Sequence, residues 1–450
     1  MKRKIYDQLL EWKDKRSHKE ALLIDGARRV GKSWIVEEFA KREYESYILI
    51  DFTDATEAIR DLFHTYKGQW DVFFMHLQLE TGVKLREKKS LIVFDEIQKF
   101  PEAREAIKYL VQDGRYSYIE TGSLMSINAN VKGINIPSEE HRIDMYPMDF
   151  EEFLWALGDE MMMDYVRECF QKRQPLGQSL HRKMMDYLRL YMIVGGMPQA
   201  VEEWVNTMDF DEVDRTKRNI LSLYRSDISK YARGQEARVT KIFDTLPSQL
   251  QKHEKKFKLS ALGKGTRGRN VETAFFWLEE SRVVNSCFAA SEPSVGLEMK
   301  LMDSARKLYM ADTGLLISHA FTEASIKAEE LYRKLMHDKL EINKGMLVEN
   351  LVAQMLKSAG HKLYFFSSYS KKEAEGRMEV DFLVPKTTIG SRHNIHPIEV
   401  KSGPRYTLTS INRFANKYCQ SIAEPIVMHS GDLKEDGKIL YLPVYMTGLL

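Results

Sequence analysis

The first 150 residues alternate between short apolar runs and stretches of helical spacing. Residues 5–18 mix apolar and polar positions as an amphipathic helix does, and Ala21-Leu22-Leu23-Ile24-Asp25 predicts a short buried strand. Ser33–Ala40 returns to helical spacing, Ser46–Phe52 predicts a second strand, and Ile59, Leu62 and Phe63 mark another helix, with helical pattern continuing from Val72–Gln78 to about Leu85. Ser90–Glu96 carries four successive apolar residues and ends in two carboxylates, Asp95 and Glu96. Tyr116–Ser123 and His141–Tyr146 complete a set of five expected strands. Continuous apolar runs are what parallel strands covered on both faces require. Strands alternating with helices predict an α/β domain over residues 1–155.

The pattern then changes. Residues 156–235 are helix-rich, the composition of a helical lid, and Gly195-Gly196-Met197-Pro198 breaks them sharply. Met192, Ile193, Met197, Ala200 and Val201 are expected as core around that turn. Over residues 236–320, short helices at 239–250 and 259–263 precede a helix from Asn270 to Leu278, and Val283–Phe288 with Lys307–Ala311 predict a hairpin. Three helices followed by a hairpin is the winged-helix order. Residues 321–450 read as α/β again: a helix over Gly345–Leu356, strands at Lys362–Phe366, Glu379–Val384 and Pro397–Lys401, and apolar strands at Pro425–Met428 and Ile439–Leu442.

Composition narrows the class only slightly. A chain of 450 residues holds two to four domains, and a net charge of +2 leaves local clusters to decide the partners. Cys169, Cys287 and Cys419 lie far apart with no C-x-x-C pair, which argues against a disulfide framework or zinc site and fits a reducing compartment. The N-terminus has no apolar signal region, and no run is long enough to span a bilayer. The expectation is a cytoplasmic protein without membrane contact, a homo-oligomer being left open.

The chemistry begins at Gly26-Ala27-Arg28-Arg29-Val30-Gly31-Lys32-Ser33, which fits G-x-x-x-x-G-K-[ST] between a strand and a helix. Such a turn aims backbone N–H groups and a helix N-terminus at one spot, where a phosphate chain sits. Lys32 is expected on the β- and γ-phosphates of ATP and Ser33 on Mg²⁺. Asp95, at the end of its strand, is placed to hold the same Mg²⁺, and Glu96 to polarise the attacking water. Thr121 and Ser123 are candidates to sense the γ-phosphate, against the plainer reading of an ordinary turn. Arg142 is a weaker candidate for a sensor or finger.

This block resembles the AAA-like ATPase domain that precedes a restriction-endonuclease-like C-terminal region in a widespread prokaryotic family. The resemblance rests on residues 26–33, Phe-Asp-Glu-Ile-Gln at 94–98, Thr-Gly-Ser at 121–123 and Tyr-Pro-Met-Asp-Phe-Glu-Glu-Phe-Leu at 146–154. The Gly195–Pro198 turn and Lys307–Leu316 resemble it too. It implies a P-loop sheet with an additional strand and a catalytic glutamate beside the magnesium aspartate. Asp312-Thr313-Gly314 occurs once and reads as a strand-end turn, not a protease motif.

Two downstream features suggest DNA. Seven basic residues crowd into positions 252–269 with Glu254 the only acid. Lys255, Lys256 and Lys258 would neutralise phosphates, and Arg267, Arg269 and Thr273 sit where a winged helix meets the major groove. A solvated face of a protein-interaction module competes with this. In the C-terminal domain, Glu399 and Lys401 alternate on one strand, and a hairpin brings Asp381 beside them. Two carboxylates bind Mg²⁺ and a lysine orients the attacking water in phosphodiester cleavage. The order Glu…Asp…Glu-x-Lys resembles the PD-(D/E)xK nuclease fold, which maps onto Glu349, Asp381, Glu399 and Lys401, with Val380 where the proline usually stands. An inactive nuclease fold and a structural salt-bridge cluster are the alternatives. The sequence therefore predicts an ATP-hydrolysing protein whose nucleotide state controls a nuclease-like domain. A nucleotide-switched regulator that binds DNA or protein without cutting, and a remodelling ATPase, compete with it.

Overall fold

The computed structural model describes all residues except 123–136, 233, 253–255, 258–267, 322–326, 338–343, 369–376, 387–392 and 404. The chain forms two compact units. Met1–Tyr146 with Glu280–Arg282 make the first, and Pro147–Glu279 with Val283–Leu450 make the second.

The first unit is built on five strands: β1 (Ala21–Gly26), β2 (Ser46–Asp51), β3 (Ser90–Asp95), β4 (Ser117–Gly122) and β5 (Glu140–Met145). Their order is β2-β3-β4-β1-β5, and every pairing is parallel. The additional strand, β4, stands between β3 and β1. All six residues of β1, β3 and β4 are buried, which is why β1 and β3 read as apolar runs, while β4 buries Ser117, Glu120 and Thr121 as well. Side chains of period two feed two separate cores. Leu22, Ile24, Leu91, Val93 and Ile119 pack with Ile35, Val36 and Phe39 of α2 (Lys32–Glu43) and Ile5, Leu9 and Trp12 of α1 (Ile5–Lys15). Leu23, Ile92, Phe94 and Tyr118 pack on the other face against α3 (Glu57–Thr65), α4 (Trp70–Thr81) and α5 (Pro101–Asp113) through Phe63, Phe73, Phe74, Ile107 and Leu110. Each such aromatic or aliphatic side chain contributes roughly 1.5–3 kcal/mol of burial. Pro101 opens α5 at its first turn, and Gly114 ends it in the left-handed region.

The second unit opens with α6 (Phe150–Ala156), started by a capping box. Asp149 accepts from the Glu152 N–H at 2.8 Å, and Glu152 accepts from the Asp149 N–H at 3.0 Å. The 146–154 motif is thus a helix-start device. Helices α7 (Met162–Lys172), α8 (Gln178–Val194), α9 (Pro198–Thr207), α10 (Phe210–Tyr231), α11 (Glu236–Leu250) and α12 (Gly268–Glu280) follow. Further on come α13 (Thr313–Ala320), α14 (Ala328–Met336), α15 (Lys344–Ser358) and α16 (Thr409–Lys417).

Two sheets accompany these helices. β6 (Val284–Ala290), β7 (Leu301–Met310), β8 (Leu363–Ser368) and β9 (Met378–Val380) are ordered β7-β6-β8-β9. β10 (Phe382–Pro385), β11 (Ile395–Val400), β12 (Ile426–His429), β13 (Lys434–Asp436) and β14 (Ile439–Pro443) are ordered β10-β11-β12-β14-β13. β6 and β7 form the expected antiparallel hairpin, but β6 also pairs parallel with β8 at Cys287–Leu363. The hairpin of the 236–320 segment and the first strand of the 321–450 segment therefore share one sheet. The expected helix at 259–263 lies outside the described residues. Asp381 is the single residue between β9 and β10, where the chain passes from one sheet to the other.

The Gly195-Gly196 break is a clasp. Asp312 caps α13 by accepting from the Leu315 N–H at 2.8 Å, and its other oxygen accepts from the Gly196 N–H at 2.6 Å. A Cβ on Gly195 would lie 2.3 Å from that carboxylate, and one on Gly314 would lie 2.5 Å from the Val194 carbonyl. Helix α15 locks onto the same region one turn at a time. Asn350 exchanges bonds with the Met310 backbone, and the Gln354 carbonyl accepts from the Thr313 N–H at 2.8 Å. No described helix is long and apolar enough to cross a membrane.

Candidate functional sites

The phosphate loop leaves β1 at Gly26, where a Cβ would stand 2.4 Å from the Met145 carbonyl on the neighbouring strand. Only glycine fits there. Arg29 and Gly31 take φ of 69° and 97°, turning the chain directly into α2 at Lys32. The Lys32 side chain is buried, and its ammonium donates to the Gly26 and Ala27 carbonyls at 2.9 and 3.0 Å. Burial pulls its pKa down, and the charges of Glu96, Asp25 and Asp95 oppose that. Arg3, which sequence reasoning missed, donates from a buried position to the Val30 carbonyl at 3.0 Å and the Tyr146 carbonyl at 2.7 Å. It ties the loop to the end of β5.

Asp95 is buried at the C-terminal end of β3, and the Thr121 hydroxyl donates to its carboxylate. The same hydroxyl accepts from the Glu96 N–H at 3.4 Å. Glu96 has φ 52°, which turns it out of the strand line, and its carboxylate accepts from the Gln98 amide. Thr121 thus lies with the acidic pair, while Ser123 lies outside the described residues. Ser33 is exposed in the first turn of α2. An exposed hydroxyl and a strand-end carboxylate are the hard oxygen donors Mg²⁺ takes, so Ser33 and Asp95 fit that ion.

Arg142 is engaged elsewhere. It donates to Asp25 at 2.8 Å, and Arg282 donates to the same Asp25 oxygen at 3.1 Å and to Asp144 at 2.6 Å. Asp25 is fully buried next to Gly26, so two guanidinium groups balance one inaccessible carboxylate. Arg282 carries φ 58° and was invisible to sequence reasoning, because 257 residues separate it from Asp25.

The C-terminal residues form a second cluster. The register Phe382–Ile398 between β10 and β11 sets Asp381 next to Glu399, and Asp381 accepts from the Val400 N–H at 2.9 Å. Lys401 pairs with Glu399. Burial raises the Glu399 pKa, and Lys401 opposes it. Glu349 on α15 accepts from the Tyr309 hydroxyl at 2.5 Å. The unexpected member is Lys307 on β7. Its fully buried ammonium lies 3.1 Å from Glu379, 3.3 Å from Glu349 and 3.6 Å from Asp381. Burial lowers its pKa, but Glu349, Asp381 and Glu379 more than offset this and hold it above the ordinary lysine range. The structure therefore gathers Glu349 and Asp381 around Lys307, and leaves Glu399 with Lys401. The available signal was a lysine leading directly into the apolar run Leu308–Ala311 on a strand, where a buried charge needs a partner.

A divalent ion does not fit this second cluster as it stands. Among the described residues, no three carboxylate, imidazole or thiolate groups converge closely enough to hold one ion. Of the expected DNA contacts, Lys255, Lys258 and Arg267 lie outside the described residues, and nothing is described of the Arg269 side chain. Lys256 is half-buried and Thr273 is exposed on α12.

Comparison with known families matches this geometry at the N-terminal end. Residues 18–154 match the family described as AAA domain. Residues 185–326 and 344–445 match two families described only as domains of unknown function, DUF8612 and DUF4143. The match covers most of the first unit and includes the Gly26–Ser33 loop, Asp95, Glu96 and Thr121, so the likeness to AAA domains lies where the phosphate loop and the acidic pair lie. No curated protein matches the chain. Among solved structures, the Saccharomyces cerevisiae Hsp104–ADP complex is 13% identical with a TM-score of 0.26, over 78% of this chain and 43% of that one. Drosophila ORC bound to DNA is 14% identical with a TM-score of 0.27, over 74% and 95%. Cdc6p from Pyrobaculum aerophilum is 11% identical with a TM-score of 0.25, over 75% and 94%. The chain thus spans under half of the Hsp104 chain.

Proposed function

We propose that the protein couples ATP hydrolysis in its first unit to DNA association by residues 236–450. The observation that carries the reading is the meeting of Asp95, Glu96 and Thr121 at the ends of β3 and β4, in the unit that holds the phosphate loop. Lys32 would leave its two carbonyls for the β- and γ-phosphates, since an anion is a better partner for a buried ammonium than neutral oxygens are. Mg²⁺, held by Ser33 and Asp95, would neutralise phosphate charge. Glu96 would orient and deprotonate the attacking water, with Thr121 setting the positions of both acids. ATP is the natural substrate of this set.

The remaining segments serve as a lid, a winged-helix-like module and a PD-(D/E)xK-like domain. Control of DNA cleavage by nucleotide state is one outcome of that organisation. The Lys307 cluster favours the other, a nucleotide-switched domain that binds DNA or a protein without cutting it. Plasmid incubated with Mg²⁺, with and without ATP, separates them. Cleavage by the unmodified protein that Lys401→Ala removes supports cutting. Intact plasmid together with salt-dependent, ATP-responsive DNA binding supports the switch. If neither cleavage nor DNA binding is seen while ATP turns over, the DNA role is wrong and a protein partner takes its place.

A further inference from the structure

The C-terminal carboxylates raise a question of charge. Glu349 from α15, Glu379 from β9 and Asp381 from the β9–β10 junction all approach one point. Three such acids on three separate elements repel one another unless a cation lies among them. In many hydrolytic sites that cation is a metal. Here the point is filled by the Lys307 ammonium, 3.1–3.6 Å from all three.

We infer that Lys307 is the permanent cation of this site, and that the site takes no divalent metal while Lys307 is present. A metal ion would sit about 2.0–2.6 Å from its carboxylate oxygens, so it would have to displace the ammonium or share its position. Displacement is obstructed on the far side. The Lys307 side chain is fully buried, its ammonium lies 5.0 Å from the centre of the Phe365 ring, and Tyr309 holds Glu349 from the same strand. Sharing would set a divalent ion against a fixed positive charge a few ångströms away. One atom argues the other way. Oε2 of Glu399 is buried and finds no hydrogen bond among the described residues. Glu399 is paired with Lys401, and its neighbour Asp381 has one oxygen accepting from the Val400 N–H and the other facing Lys307. The inference rests on the reading in which the C-terminal domain binds without cutting, and it names the residue responsible.

The test uses the full chain without nucleotide, carrying Asp95→Asn so that the end of β3 contributes no Asp95 carboxylate to Mn²⁺. Bound Mn²⁺ is read from the loss of the free-ion electron paramagnetic resonance signal, and melting temperature is recorded in parallel. The expected result is no Mn²⁺ bound up to millimolar concentration. Adding Lys307→Met should create one Mn²⁺ site and make the melting temperature rise with Mn²⁺, and Asp381→Asn should remove both. One Mn²⁺ bound by the Lys307 protein and lost with Asp381→Asn would overturn the inference. So would a folded Lys307→Met protein that gains no site. If Lys307→Met does not fold, the Lys307 protein and its Asp381→Asn partner decide the matter alone. ATP turnover of the unmodified chain is measured separately, so a failed ATPase assignment leaves the Mn²⁺ result readable.

Discussion

Two buried lysines set the two units apart. Lys32 rests on two neutral carbonyls, and burial pulls its pKa down. Lys307 sits among three carboxylates, and its pKa is held up. A lysine on weak acceptors is a charge waiting for an anion, which a phosphate supplies. A lysine already surrounded by acids has its counter-charge and accepts no further ligand. On the two proposals above, the same buried side chain marks a working site in one unit and a closed one in the other. What differs is the charge of the neighbours.

The largest effect should come from the waiting side. Glu96→Gln should lower the ATP turnover rate by roughly 10²–10⁴ while nucleotide still binds, and Lys32→Ala should weaken binding as well. Steady-state turnover beside a fluorescent-nucleotide titration checks both, and full turnover by Glu96→Gln would break the comparison at its root. Stability comes next. Lys307→Met strands three acids and should cost about 3–5 kcal/mol in a denaturant titration. Lys32→Met breaks bonds to two neutral carbonyls, with Glu96, Asp25 and Asp95 acting on Lys32 only through their charge, and should cost less, about 1 kcal/mol. The reverse order would show that Lys307 is not the better-paired lysine.

A third test uses Glu120, fully buried on β4. Burial and then the charge of Glu140 push its pKa well above the usual carboxylate value, with Arg104 opposing. The folded state keeps this proton at pH values where the unfolded chain has released it. Stability from this group is therefore lost as pH rises above the unfolded value, by up to about 1.4 kcal/mol per pH unit. Glu120→Gln should flatten that slope, as read from melts between pH 5 and 8, and an unchanged slope would show that another group carries it. The smallest effect is electrostatic and distant. Replacing Lys255, Lys256 and Lys258 with alanine should reduce the log–log salt slope of DNA binding by about 2–3. An unchanged slope would place the DNA contact elsewhere.

How much of this was legible follows from the range of the interactions. β1 and β3 could be read directly, because a strand buried on both faces writes an apolar run, while β4 (Ser-Tyr-Ile-Glu-Thr-Gly) is equally buried but carries Glu120 and Thr121. The phosphate loop and the Asp95-Glu96 pair are local patterns and could be read from spacing. Thr121 was half-legible: its strand end was clear, its bond to Asp95 was not. Lys307 and Arg3 were illegible as site residues because their partners lie on other elements far along the chain. The pairing of β6 with β8 was hidden for the same reason, since a strand pattern says that a partner exists and not which one. The register that sets Asp381 beside Glu399 was anticipated because a hairpin between near neighbours leaves few choices.

Arg282 gives the fold a timetable. Its partner Asp25 is made 257 residues earlier, and the two belong to the same unit. At a ribosomal pace of about 5–20 residues per second, that separation lasts on the order of tens of seconds. Arg142 is made 117 residues after Asp25, and from then until Arg282 is made the first unit has one of the two guanidinium groups that balance a carboxylate it finally buries completely. The charge balance beside the phosphate loop is completed only after most of the second unit's helices have been translated. The first unit therefore emerges from the ribosome before its last charge partner has been made.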